Sequence, residues 1–334
     1  MTDFRERLEE FLLSRNETIN IQQLTPDAST REYFRVHLKT GSAIACMYPE
    51  PFVASDQSYI DVTNLFLKCG LPVAKILDFD EKLGAILLED LGDNILRDAL
   101  NEAAGDARNR LVNRAIELIP RIQAATGTAY ATNSIASRLR FDVEKLSWEL
   151  DFFKTHYFTT LRAKPLSRSE DSAIAKEFLE MSKDLENKAS VLCHRDFHAA
   201  NLMIDHRGEL RIIDHQDARI GSPTYDLVSL LLDRVTDLPT SDWLAAKRRF
   251  FLDARESLGL PEIDEAGFAN EFRMQTIQRC LKAAGTFSFQ SATRDKIYFI
   301  PFIQPMLQIA LRAAENLGRF PVLRSVITRE IEIA

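Results

Sequence analysis

The chain has 334 residues, 46% hydrophobic and 27% charged, enough for one large or two modest apolar cores and ordinary for a globular protein. Its formal charge of −7 speaks against a nucleic-acid surface, which normally shows a basic patch. The start MTDFRERLEE lacks a signal-peptide apolar core, no run of about 20 apolar residues is expected to span a bilayer, and Cys46, Cys69, Cys193 and Cys280 form no C-x-x-C pair, so a cytoplasmic protein with free thiols is expected.

Residues 2–15 read as an amphipathic helix, with Phe4, Leu8, Phe11 and Leu12 at helical spacing. A small antiparallel sheet is expected over 18–48, with a strand at 33–38, a turn at Lys39-Thr40-Gly41-Ser42 and a return strand at 43–48. Before it, Pro26-Asp27-Ala28-Ser29-Thr30-Arg31 is either an ordinary polar turn or a loop small enough for its N–H groups to approach an anion. Residues 55–69 spell a helix capped by Ser55 or Asp56, with Tyr59, Val62, Leu65 and Phe66 on one face and Gly70 ending it. Strands at 72–80 and 83–88 then lead into Glu89-Asp90-Leu91-Gly92.

From residue 93 the pattern is helical, near 94–104, 106–126 and 142–160. Trp148, Phe152, Phe153, Tyr157 and Phe158 read as core, and Glu144, Glu149 and Asp151 as a solvated face. A polar loop at 161–171 precedes a helix at 172–186. The stretch 191–217, VLCHRDFHAANLMIDHRGELRIIDHQD, holds three apolar runs too short for helices and bounded by polar or Gly residues, hence strands. Asp196 and Asp214 sit just past such runs, and Asn201 just before one. Strand ends of this kind bring two carboxylates and an amide together, which suits a divalent metal with oxygen ligands and a carboxylate beside a hydroxyl nucleophile. Turn chemistry alone also places Asp and Asn in hairpins, and His194, Asp196, His198, His206 and Asp214 could be pictured around zinc.

His194-Arg195-Asp196, with Asn201 five residues after the Asp, resembles the catalytic loop of protein-kinase-like phosphotransferases, and Ile213-Asp214-His215-Gln216-Asp217 resembles the metal-binding segment that follows it. The likeness is to the aminoglycoside phosphotransferase/choline kinase family, nearest its bacterial branch acting on the anomeric hydroxyl of N-acetylmuramate and N-acetylglucosamine. The resemblance implies an α+β, protein-kinase-like two-lobe fold, with a small antiparallel-sheet lobe over 1–90 and a larger, mainly helical lobe over 91–334. It implies ATP as donor, Mg2+ held by Asn201 and Asp214, and Asp196 as the base. It places Ser29, Thr30 and Arg31 at the phosphates and the backbone of Glu89 and Leu91 at the adenine. Arg195, Asp217 and Arg279 fall on the acceptor side, with Lys282 near Arg279. His194 would hold the loop, and Asp226 would brace it through backbone N–H groups. The family's phosphate-binding Lys is absent: aligning the hairpin puts Met47 there, leaving Arg31 or Arg35 to supply the charge. The expected partner is a small-molecule sugar, with no nucleic acid and no membrane, and the expected state is a monomer or weak dimer. An aminoglycoside- or choline-type phosphotransferase and a nucleotide-binding pseudokinase are the alternatives. Helices at 241–258, 264–289 and 300–317 complete the reading.

Overall fold

The structure, a computed structural model, describes residues 3–17, 20–24, 30–39 and 41–333. Helix α1 (Phe4–Ser14) starts at Asp3, whose carboxylate accepts the Arg5 N–H. The spacing of its apolar residues puts Leu8, Phe11 and Leu12 on one buried stripe. Strands β1 (Ile21–Leu24), β2 (Glu32–Leu38) and β3 (Gly41–Met47), helix α2 (Ser58–Lys68), and strands β4 (Ile76–Asp80) and β5 (Ala85–Glu89) follow. The five strands form an antiparallel sheet in the order β1-β2-β3-β5-β4. On one face, α1 packs with Phe34, Val36, Ala43, Ala45, Met47 and Leu87. On the other, α2 lays Tyr59 and Ile60 against Cys46, Ile86 and Leu88. Covered on both sides, β5 buries Ala85, Ile86, Leu87 and Leu88 without alternation, which explains the continuous apolar run in its sequence.

Three local expectations are corrected here. The cap of α2 is Gln57, whose side-chain oxygen accepts the Tyr59 N–H; Ser55 and Asp56 fall in a 3-10 turn at Ala54–Asp56. Strand β4 begins only at Ile76, because Val73 bridges Ile212 instead. The turn expected at 39–42 is shorter: Gly41 and Ser42 already belong to β3, paired with Leu38 and His37. Ser29 and the rest of its loop from 25 lie outside the described residues, as does Thr40.

The remainder is mostly helical: α3 (Leu96–Glu102), α4 (Gly105–Ala124), α5 (Thr126–Ala131), α6 (Ile135–Arg138), α7 (Val143–Phe153) and α8 (Arg168–Lys188). Four short strands interrupt it: β6 (Val191–Cys193), β7 (Leu202–Ile204), β8 (Leu210–Ile212) and β9 (Arg219–Gly221). Then come α9 (Tyr225–Leu232), α10 (Ser241–Ser257), α11 (Glu265–Thr293), α12 (Ile300–Leu317) and α13 (Pro321–Ile333). The three strands expected in 191–213 are present, and β7 pairs with β8. Strand β6, however, pairs with β9, three residues with no strand signature. Helix α8 starts earlier than expected because Ser167 and Glu170 form a capping box. Helix α7 continues as a π-helical stretch, Lys154–Leu161.

Residues Ile297–Leu317 are long and apolar enough to cross a membrane by length and composition, contrary to the expectation of no such run. In the fold, Ile303, Met306, Leu307, Ala310 and Ala314 of this segment are buried in the core shared with α11. Helices α7 and α11 meet backbone to backbone: a Cβ at Gly285 would stand 2.6 Å from Phe153 Cα, so only glycine permits the approach.

Candidate active site

Strand β6 delivers His194-Arg195-Asp196 into a loop fixed from two sides. Asp226, fully buried in the first turn of α9, accepts the His194 N–H at 2.7 Å and the Arg195 N–H at 3.1 Å. Burial raises the Asp226 pKa to about 6, against the opposing pull of His194 and the two amides. The His194 ring donates from Nε2 to the Ile213 carbonyl at 2.9 Å, a tautomer set by an oxygen that only accepts. The loop is thereby tied to the segment that carries Asp214. Arg195 (φ 84°) and Asp214 (φ 60°) both lie in the left-handed region, which is strained for side-chain-bearing residues. Asn201 donates from Nδ2 to the Asp196 carbonyl at 2.9 Å and to Asp214 Oδ2 at 3.5 Å, so its own amide oxygen remains available as an acceptor.

The Asp196 carboxylate stands among cations: Lys282 at 3.3 Å, Arg195 at 3.6 Å and Arg279 at 3.7 Å. Burial alone would raise its pKa, but Lys282, Arg195 and Arg279 together hold it well below the usual carboxylate range. Asp217 pairs with Arg195 at 2.9 Å and more loosely with Arg219 at 3.7 Å. All three acceptor-side residues expected from sequence, Arg195, Asp217 and Arg279, therefore converge on Asp196 or its immediate neighbour.

Glu149 does not lie on a solvated face. It is 1% exposed, accepts Gln278 Nε2 at 2.7 Å and stands 3.9 Å from both Lys145 and Lys282. Its main partners are on α11, more than a hundred residues away in sequence, and no local pattern announces them. Tyr225 and Arg219 were likewise not anticipated. Arg219 lies over the Phe141 ring at 5.3 Å, Phe141 stacks on Tyr225 at 4.0 Å, and Arg279 covers Tyr225 at 5.2 Å. Gly221 admits the Phe141 ring, which a Cβ there would meet at 2.8 Å. Tyr225 Oη, Glu149 Oε1 and Arg195 Nε are buried with no hydrogen-bond partner among the described residues.

On the sheet side, Arg31 reaches Asp214 Oδ1 at 3.3 Å and lies beside the Tyr33 and Tyr48 rings. Gln216 donates to the same oxygen at 3.0 Å. Thr30, next to it, is exposed. Met47 is not the cleft-facing position of β3: it is fully buried in the α1 core, whereas Cys46 on the opposite face packs on α2. Arg35 is committed to Asp90 at 2.8 Å and Asp93 at 2.7 Å. Glu89 donates its N–H to the Lys75 carbonyl and pairs with Arg211 at 2.8 Å, which removes its amide from ligand recognition. Leu91, just past β5, makes no backbone hydrogen bond among the described residues.

Among the described residues, no three of His, Cys, Asp and Glu are grouped as a metal cage. The oxygens of Asn201 and Asp214 are hard donors, the kind that magnesium shares with phosphates. A cavity of about 550 Å³ at the α12–α13 junction shares no residue with this cluster.

The phosphotransferase enzyme family (APH) matches the chain over residues 20–261. The N-acetylmuramate/N-acetylglucosamine kinase of Neisseria meningitidis serogroup B is 30% identical over 304 residues, covering 90% of this chain and 87% of that protein. The like-named kinase of Caulobacter vibrioides is 28% identical, covering 82% of each. Among solved structures, the choline kinase LicA of Streptococcus pneumoniae superposes with a TM-score of 0.58 at 15% identity, covering 94% of this chain and 99% of that one. The ADP-bound aminoglycoside phosphotransferase APH(2'')-Ib gives 0.56 at 13%, covering 92% and 98%. These structural likenesses show the fold, a small antiparallel sheet on a mainly helical body of the protein-kinase-like kind.

Proposed function

The chain belongs to the phosphotransferase enzyme family, and on that premise we propose that it transfers the γ-phosphoryl group of ATP to the anomeric hydroxyl of N-acetylmuramate or N-acetylglucosamine, in cell-wall amino-sugar recycling. The family acts on alcohol acceptors, and the relatives are sugar kinases by name. The observation that carries the reading is the setting of Asp196. Its carboxylate is 28% exposed, with cations beside it and the Asn201 amide linking its backbone to Asp214.

In this reading Asn201 Oδ1 and Asp214 hold magnesium, which when bound neutralises phosphate charge. Asp196 accepts a hydrogen bond from the sugar C1 hydroxyl and aims its oxygen at the γ-phosphorus. As that oxygen–phosphorus bond forms and the bond to ADP breaks, the proton passes to Asp196 and then to solvent. With its pKa held low, Asp196 is a weak base, so it orients first and takes the proton late. The anomeric hydroxyl, more acidic than an ordinary alcohol, tolerates such a base. Lys282, Arg279 and Arg195 meet the charge of the transferred group. Arg31, with the amides of its loop, supplies the sheet-side phosphate contact in place of the absent Lys, and the Leu91 backbone meets the adenine edge. Residues 1–90 act as the nucleotide-covering lobe and 91–334 as the body that binds the acceptor. The setting is the cytoplasm, where ATP is supplied.

The intact set of Asp196, Asn201 and Asp214 weighs against a pseudokinase. The cations around Asp196 weigh against a choline or polycationic aminoglycoside acceptor, since like charges repel at these separations. Coupled ADP-release assays test the reading. The parent sugar should turn over and its 1-deoxy analogue should be inert. Equal turnover of both, or phosphorylation of aminoglycosides alone, would contradict it.

A further inference from the structure

The acceptor end of the site is unbalanced in charge. Lys145, Arg195, Arg219, Arg279 and Lys282 stand within 4 Å of three carboxylates, Glu149, Asp196 and Asp217, while Asp226 and Asp233 act on Arg279 from farther off. Within ion-pair distance the five cations outnumber these three carboxylates, in a chain whose net charge is −7. Three of them, Lys145, Arg219 and Arg279, have no carboxylate closer than 3.7 Å among the described residues, and of these only Arg279 stands beside Asp196 itself. Lys145 is 3.9 Å from Glu149, whose short contact is with Gln278. Arg219 donates from Nε to the Asp217 carbonyl at 3.1 Å, but its nearest carboxylate oxygen, on Asp217, is 3.7 Å away and that carboxylate pairs closely with Arg195. Both are largely withdrawn from water, at 27% and 11% side-chain exposure. Partly buried charges without a close counter-ion are costly.

Both are also held in place. The Arg219 guanidinium rests on Phe141. Lys145 stands in the first turn of α7, its N–H bound by Asp142 at 2.7 Å and its ammonium over the Trp148 ring at 4.2 Å. Burial first, then Arg195 and Arg219, lower the Lys145 pKa against the pull of Glu149 and Asp217, so an anion set between Lys145 and Arg219 would relieve their repulsion. Their positions relative to Asp196 separate them from the reacting hydroxyl: Glu149 and Lys282 intervene on one side, Asp217 and Arg195 on the other.

We propose that Lys145 and Arg219 form a carboxylate subsite at the acceptor end, so that the preferred acceptor is the sugar bearing a carboxylate on an ether arm away from its reacting hydroxyl. The inference rests on the sugar-kinase reading. N-acetylmuramate and N-acetylglucosamine differ only by such an arm, so their kcat/KM ratio isolates it.

The wild-type ratio should favour N-acetylmuramate. In Lys145→Met it should fall roughly tenfold or more, the usual worth of a hydrogen bond to a charged group, through a higher KM for N-acetylmuramate, and Lys145→Arg should preserve it. Arg219→Met should act in the same direction; Lys145, the more exposed of the two, keeps the test open if the Arg219 variant fails to fold. Equal losses for both sugars in Lys145→Met, or a rise in the KM for ATP in place of that for the sugar, would overturn the subsite. Failure of the wild-type protein to phosphorylate either sugar would instead overturn the sugar-kinase reading, and the subsite with it.

Discussion

Along β3 the side chains alternate, with Met47 in the α1 core and Cys46 facing α2. A thioether on the far face of the sheet has no path to a phosphate. Arg31 is differently placed, beside Tyr33 and Tyr48 and 3.3 Å from Asp214. Met47→Ala is therefore predicted to cost about 2–5 kcal/mol of stability as a buried large-to-small change, with the KM for ATP nearly unchanged. Arg31→Ala should raise that KM or lower kcat roughly tenfold, the worth of one charge-assisted contact. Steady-state kinetics at saturating sugar check both; a large ATP defect in folded Met47→Ala beside a silent Arg31→Ala would contradict the placement. The neighbourhood of Asp196, Asn201 and Asp214 was legible in the sequence because it is local: one loop and one hairpin carry it. Glu149, Lys145 and Arg219 were not, because α7, β9 and α11 meet only through tertiary packing. Met47 was misplaced by one position of a strand, enough to turn a side chain to the other face.

Among the described residues, no strand Lys pairs with helix α2, which is docked by other contacts. Thr63 Oγ1 meets His215 Nε2 at 2.7 Å, Phe66 stacks on the His215 ring at 5.3 Å, and Asp61 accepts the Ile135 N–H at 2.8 Å. His215 is fully buried, and burial lowers its pKa from 6.5 to about 3. A depressed pKa contributes stability that is fully present above pH 6.5 and is lost as pH falls toward 3. His215→Phe keeps the packing and removes the titration. Its unfolding free energy should fall less steeply than wild type between pH 6.5 and 4, the difference reaching about 3 kcal/mol. Urea titrations across that range test this, and parallel slopes would contradict it. Asp226 opposes His215: with its pKa raised to about 6, its contribution is lost as pH rises from about 4 through 6, which flattens the wild-type curve. The long periodic helices α1, α4, α7 and α11 could be read from their spacing. Helices α5 and α6 and strand β9 could not, because each is too short to establish a period.

Across the whole molecule, a few charged contacts join the sheet to the helical body. Arg31 reaches Asp214, Glu89 pairs with Arg211, and Arg211 also holds Asp205 and the Val73 carbonyl. The overall charge is negative, yet the cations gather around one carboxylate, and that concentration is the physical core of the proposal: a nucleotide side set by Asp214, an acceptor side set by cations, and Asp196 between them. The most direct measurement is the kinetics of Asp196→Asn, with Mg-ATP affinity from calorimetry and thermal melting followed in parallel, since the change leaves three cations short of an anion. The account predicts a folded protein that binds Mg-ATP as wild type does and turns over at least ~10²-fold more slowly. Near-normal turnover in that variant would contradict it.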